Sequence, residues 1–457
     1  MTKKISLVSL VLLIVAAIDS IRNLPAAALF GSSLIFFFLF SALVFLIPVA
    51  LVAAEFASRY PEEGGVFHWV RHAFGEKIAL LAIWLQWINT MVWYPTILSF
   101  IAGTAAYLFD PALAQKKGFL ITVILVVFWS LTFLNLRGVR VSAKINSFCA
   151  SIGTLIPITL LIVLGIVWVC LGKPIQVEFT PQAIFPALSG MENWISLIAI
   201  MASFLGMELS GVHVNDVENP QRNFPRAMGA AVVVLLSTMI LGSLSIATVI
   251  PGKEIRLVDG IMQTFTQFFS SFGIPGFIPV LTLMIIVGST GGMINWLLAP
   301  AKGLMQAAEY GFLPRFFCVK NDKGVPVRIL ISQALLVSVF CLAFILMPSI
   351  NAFYWFLTDL STELYMIMYI LLFASAIKLG RPSKESLSYR IPRGSRRLIC
   401  LLGLFGCFLT IIVGYLPPEG IDVGSGLRYG LFIALGNAVL IAPALLLWYY
   451  RSQKKSL

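Results

Sequence analysis

The sequence predicts an all-α membrane protein of twelve transmembrane helices. The first ten form two five-helix units inserted in opposite senses, with helices 1 and 6 broken, and two more helices follow. Three observations lead there. Of 457 residues, 59% are hydrophobic and 11% charged, and the mean hydropathy of +0.95 lies far outside the soluble range. Basic residues fall almost entirely in alternate connections between apolar runs. Two of the runs are interrupted by polar residues at corresponding places.

Apolar runs long enough to cross a bilayer, about 18 residues or more, lie at 6–30, 33–56, 78–108, 119–136, 147–171, 190–213, 227–250, 275–301, 329–348, 353–377, 397–416 and 429–450. The connections are short, which leaves no room for a soluble domain. The whole chain, 1–457, therefore reads as one membrane domain. Its parts are a first unit at 1–171, a second at 190–378, helices 11 and 12 at 397–450, and a short tail at 451–457. With the N-terminus inside, 25 of the 32 basic residues fall on the inner side, six fall outside, and Arg22 remains within the membrane. That asymmetry places both termini in the cytoplasm. It also explains the net charge of +12 without nucleic acid, because the basic residues form neither a patch nor a stripe.

The opening "MTKK" and the later "PAAAL" imitate a signal peptide and its cleavage site. The polar interruption at Asp19 and the many later spans predict that the segment is retained. Six cysteines, at 149, 170, 318, 341, 400 and 407, show no metal-like spacing and are expected to be packing residues. His68 and His72 stand in "HWVRH", which lacks the glutamate of a zinc hydrolase motif, and His213 stands alone. No metal or cofactor is expected, and no nucleophile–base pair suggests an enzyme.

The first run contains "AIDSIRNLP", with Asp19, Arg22 and Pro25 where a membrane helix would be smoothest. A charge at bilayer depth costs about 2.5–3.5 kcal/mol on insertion scales, so the interruption must be offset or used. The sixth run carries "GMELSG", where Gly206, Glu208 and Gly211 interrupt, 189 positions after Asp19. Five spans separate the two starts, and an odd number reverses the direction of insertion. Paired discontinuous helices in inverted repeats point to a transporter binding site.

A break frees backbone groups. Half-helix N-termini suit a carboxylate, and freed carbonyls suit an ammonium group. Two facing breaks therefore suit a zwitterionic amino acid. Their walls are 19–24, with Asp19, Ser20, Arg22 and Asn23, and 204–210, with Phe204, Gly206 and Glu208. Arg22 and Asp19, spaced i,i+3, admit two readings: mutual neutralisation or substrate binding. Asp359 and Glu363, spaced i,i+4, share one face of span 10, and Tyr365 and Tyr369 repeat the spacing on another. Asp19, Glu208, Asp359 and Glu363 are candidate proton carriers, against a structural role as buried pairs or vestibule lining. Glu55 lies near a span end. "STGGM", Ser289 to Met293, reads first as small-residue helix packing and second as a place of close substrate approach, with Trp296 beyond it as a gate or packing residue.

Several segments resemble the amino acid–polyamine–organocation superfamily of transporters. They are "AAEFASRYPEEGGVFHWVRHAFG" (53–75), "GMELSGVHVNDVENPQRNFPRAM" (206–228), "APAKGLMQAAEYGFLP" (299–314) and "YRIPRGS" (389–395). Within it, "PEEGGVFHWV", "HVNDVENPQRNFPRAM", "SIATVIPGKEI" and "KNDKGVPVRILISQ" are similar to the glutamate/γ-aminobutyrate antiporter group. The resemblance implies a leucine-transporter-like 5+5 fold and alternating access, exchanging an amino acid for another or for its decarboxylation product. It also implies that Tyr365 and Tyr369 lie near the substrate path. The chain departs from that group at Asp19, at Arg22, and at Gly292, where a glutamate aligns. The glycine-rich break usual in span 1 is missing, and no long tail follows Tyr450 to cover the inward path.

The expected function is thus a multi-pass antiporter of the bacterial inner membrane, with small-molecule amino acid substrates and the lipid bilayer as its partners. Proton-coupled uptake is the alternative within transport, and a non-transporting sensor with a transporter fold is the alternative outside it.

Overall fold

Low charge density and long apolar runs leave the backbone one economical solution, in which each segment satisfies its own hydrogen bonds as a helix. The computed structural model describes residues 5–60, 65–138, 148–149, 151–186, 190, 194–209, 217–311, 313–380, 389–392, 394–418 and 421–454. Among these, helices dominate. In chain order they are α1 (Leu7–Ile18), α2 (Leu24–Ala28), α3 (Gly31–Arg59), α4 (Val66–Phe74), α5 (Glu76–Ala106), α6 (Lys117–Leu136), α7 (Ser151–Cys170) and α8 (Ser196–Leu209). There follow α9 (Pro220–Val249), α10 (Gly260–Ser271), α11 (Ile278–Glu309), α12 (Val327–Leu346), α13 (Ile350–Leu379), α14 (Arg396–Gly414) and α15 (Gly426–Lys454).

Among the described residues nine helices are long and apolar enough to cross a membrane, and the pair α1–α2, bent by 42°, makes a tenth. The protein is therefore an all-helical, multi-pass membrane protein. Two further predicted spans take a different form. The run at 78–108 is α5, a helix of 31 residues that carries Gln86, Asn89, Thr90 and Thr96 and is buried along most of its length. A helix enclosed by others need not be apolar on every side. The run at 190–213 is the short α8, and residues 210–216, with Gly211 and His213, lie outside the described residues.

Two stretches read as connections are helical. In α4, Val66, Phe67, His68, Trp69 and Val70 turn inward. In α10, Ile261, Met262, Phe265, Phe268 and Phe269 form a buried stripe at helical spacing. Both are too short to span, which is why a search for long runs passes over them.

The centre of the molecule is set by α13: 72% of its apolar stretch is buried inside the protein, against 17% for α15 and 28% for α11. It packs on α5 and α14, while α1 and α3 pack on α9. Where α7 crosses α11, Gly153 and Gly288 let the backbones touch; a Cβ on Gly153 would lie 2.5 Å from Gly288 Cα. Near the end of α3, Glu55 accepts hydrogen bonds from Arg396 Nε at 3.0 Å and Nη2 at 2.8 Å, and from the Ile391 amide at 2.9 Å. That buried pair fastens α3 to the start of α14.

Candidate functional site

The first break begins where α1 ends. Asp19 and Ser20 are extended, with φ −64°, ψ 118° and φ −136°, ψ 112°, and a 3₁₀ turn over Ile21–Asn23 leads into α2. Pro25, at the start of α2, has no N–H to give to a continuous helix. The extended residues also undo the i,i+3 relation between Asp19 and Arg22, which holds only along an unbroken helix. The two form no ion pair. Arg22 turns to α5 and α13: its Nη1 donates to Thr96 Oγ1 at 2.8 Å and to Tyr354 Oη at 3.3 Å, and its guanidinium lies 4.7 Å from the Trp93 ring centre. The Tyr354 hydroxyl in turn donates to the Arg22 carbonyl at 3.1 Å. Arg22 Nε and both Asp19 carboxylate oxygens are buried without a hydrogen bond, and Arg22 has no acidic partner among the described residues. Asn23 is buried and Ser20 half-buried beside them.

The second break lies within α8. After Ala202 the helix loosens into turns, and Gly206 takes φ +99°, a conformation that favours glycine. Its freed N–H donates to Tyr369 Oη at 3.0 Å. Glu208, 1% exposed, accepts from Tyr365 Oη at 2.5 Å, from Gln86 Nε2 at 3.1 Å, and from the Tyr369 hydroxyl. Phe204 has a different neighbour: it is fully buried, edge-on to Phe38 of α3.

Both breaks are thus held by the same two helices. On α5, Gln86 and Trp93 are seven residues apart and share a face; on α13, Tyr354, Tyr365 and Tyr369 do the same. At 1.5 Å per residue, the contacts to the two breaks are spaced by about 10 Å along α5 and about 16 Å along α13. A third helix, α11, closes in through Trp296, whose ring lies 5.4 Å from Trp93 and whose carbonyl accepts from Tyr94 Oη at 2.9 Å.

The two glycines of "STGGM" have different surroundings. A Cβ on Gly291 would collide with Cys149, so Gly291 is a packing residue. A Cβ on Gly292, one turn before Trp296, would meet nothing within 4 Å.

Asp359 and Glu363 are fully buried, but they face α14 and α15 and not Glu208. His68 lies edge-on to Tyr310, and His72 stacks on Tyr60.

The sequence reading omitted Gln86, Trp93, Thr96 and Tyr354. Gln86 was detectable as one of two amides, with Asn89, in an apolar run, and Tyr354 as an aromatic eleven residues before Tyr365. Thr96 and Trp93 carried no such signal, because threonine and tryptophan are ordinary inside buried helices.

The sequence profile described as amino acid permease matches residues 5–440. An uncharacterized transporter of Legionella pneumophila is 41% identical over 441 residues, covering 96% of this chain and 95% of that one. A glutamate/gamma-aminobutyrate antiporter of Lactococcus lactis is 28% identical over 445 residues, covering 96% and 88%. A probable agmatine/putrescine antiporter of the same species is 22% identical over 387 residues, covering 84% and 81%.

Proposed function

The chain belongs to the amino acid permease family, and from that premise we propose that it is an antiporter, exchanging one amino acid for another or for its decarboxylation product. It is a membrane transporter, not an enzyme. The reading rests on one arrangement above all: α5 and α13 present hydrogen-bonding side chains to both helix breaks, at Arg22 and at Glu208. Arg22 is a buried cation without an acidic protein partner among the described residues, which favours a substrate carboxylate at that break. Glu208, ringed by two tyrosine hydroxyls and an amide, is the acceptor for a substrate ammonium group or a proton. Gly292 leaves space for the side chain on the α11 side.

In this reading the chain forms twelve spans, with α5 and α8 completing the set as spans 3 and 6. The two five-span repeats and helices 11 and 12 are those delimited from the sequence. The protein resides in a bacterial inner membrane with both termini in the cytoplasm. Spans 1, 2, 6 and 7 rock against the remainder, opening the two breaks to each side in turn. Relatives named as glutamate/gamma-aminobutyrate and agmatine/putrescine antiporters support exchange as the mode.

Purified protein in liposomes should accumulate a labelled amino acid only when counter-substrate is enclosed. Accumulation driven by an inward proton gradient with empty liposomes would replace exchange by symport. Binding without any transport would replace both by a sensor.

A further inference from the structure

On a face of α13 apart from the Glu208 cluster, Asp359 and Glu363 stand one turn apart, both fully buried. Each carboxylate has one oxygen engaged. Tyr429 donates its hydroxyl to Asp359 Oδ2 at 2.6 Å, and Asn437 donates its amide to Glu363 Oε2. The remaining oxygens, Asp359 Oδ1 and Glu363 Oε1, have no hydrogen-bond partner. They converge on Gly414: a Cβ there would lie 2.7 Å from Asp359 Oδ1 and closer still to Glu363 Oε1, so both free oxygens pack against the glycine.

A third orphan comes from another helix. Asn437 of α15 is 7% exposed, and the amide that touches Glu363 also carries an unpartnered Oδ1. Around the two free oxygens stand Gly414 at the end of α14 with Tyr415 just beyond it, Tyr429 and Asn437 on α15, and, on α13, Trp355 one turn before Asp359, whose indole Nε1 is also unpartnered. Arg428, next to Tyr429, is exposed, and no Lys, Arg or His forms an ion pair with either acid among the described residues.

Two buried carboxylate oxygens that converge with no hydrogen-bond donor to either, beside a third unpartnered acceptor on Asn437, describe a place for a positive charge. Two carboxylates this close, away from water, require compensation. We propose that Asp359 and Glu363, converging on Gly414 with Asn437 beside them, form a binding site for one small monovalent cation, H⁺ or Na⁺, separate from the substrate site. A proton placed on one of the two free carboxylate oxygens would donate to the other. A sodium ion would take the same oxygens and the Asn437 carbonyl as ligands. The site owes nothing to the antiport reading, and its test uses no substrate.

The purified full chain should be examined in two ways. Melting is followed against NaCl, with choline chloride holding ionic strength constant, and infrared spectra at neutral pH are searched for a protonated carboxylic C=O band. The sodium arm predicts a melting temperature that rises with NaCl by mass action, an effect lost in the D359N/E363Q double variant. The proton arm predicts no sodium response, but a protonated-carboxyl band in the parent that is absent from the double variant. Gly414→Ala keeps both acids and presses a methyl group against both free oxygens, so it should abolish the sodium response or shift the band. That variant, with the parent's own sodium response, decides the matter if the double variant does not fold. A parent with no sodium response, and a carboxyl band unchanged in the variants, overturns the site.

Discussion

Adjacent residues of one motif carry opposite expectations. Gly291 touches Cys149 across the helix crossing, so Gly291→Ala should lower the melting temperature, with overpacking costing about 1–3 kcal/mol. Gly292→Ala adds a methyl to open space and should melt like the parent while altering substrate preference; equal melting losses in both variants would contradict this assignment. Arg22 belongs to the same scale. If its guanidinium receives a substrate carboxylate, Arg22→Ala removes a charge-assisted bond worth about 1.5–3 kcal/mol, and substrate affinity should fall by about ten- to a hundredfold. An unchanged dissociation constant, measured by calorimetry, would take Arg22 out of the pocket. The loss would combine binding with the vacated contacts to Thr96 and Tyr354, so Thr96→Val serves as the control for the latter.

Between elements, the Glu55–Arg396 pair fastens the end of α3 to the start of α14. Its two charges are buried, with side chains 2% and 10% exposed. Arg396→Ala would strand the Glu55 carboxylate, a change that costs about 3–5 kcal/mol for a buried pair. A markedly lower melting temperature is expected, with partial recovery when Glu55→Leu is added; no recovery would show that Arg396 acts through other contacts. Two elements also explain what a search for runs and breaks overlooks. α4 and α10 are amphipathic and short, so their signal is a stripe and not a run. The interruption at Asp19 was legible because Pro25 and three polar residues stand together, and that at Glu208 because Gly206 stands beside it. What those breaks face was not legible, since hydropathy fixes which segments are buried and says nothing of azimuth.

For the whole molecule, the twelve-span reading makes a topological prediction. In a cysteine-free background, Lys173→Cys and Lys253→Cys should react with an impermeant maleimide on intact cells, and Lys323→Cys only after permeabilisation. The reverse pattern would invert the orientation. The sequence by itself determined that the chain is a multi-pass helical transporter with polar interruptions at Asp19 and Glu208, because apolar length, polar interruption and family motifs are properties of the linear chain. Only the tertiary structure decided which partners the buried charges take. It parted Arg22 from Asp19, joined Glu208 to Gln86, Tyr365 and Tyr369, and turned Asp359 and Glu363 toward α14 and α15. The reason is physical: a break changes the rotation of everything beyond it, and a buried charge is compensated by whatever the neighbouring helices place within hydrogen-bond reach, at separations of up to hundreds of residues.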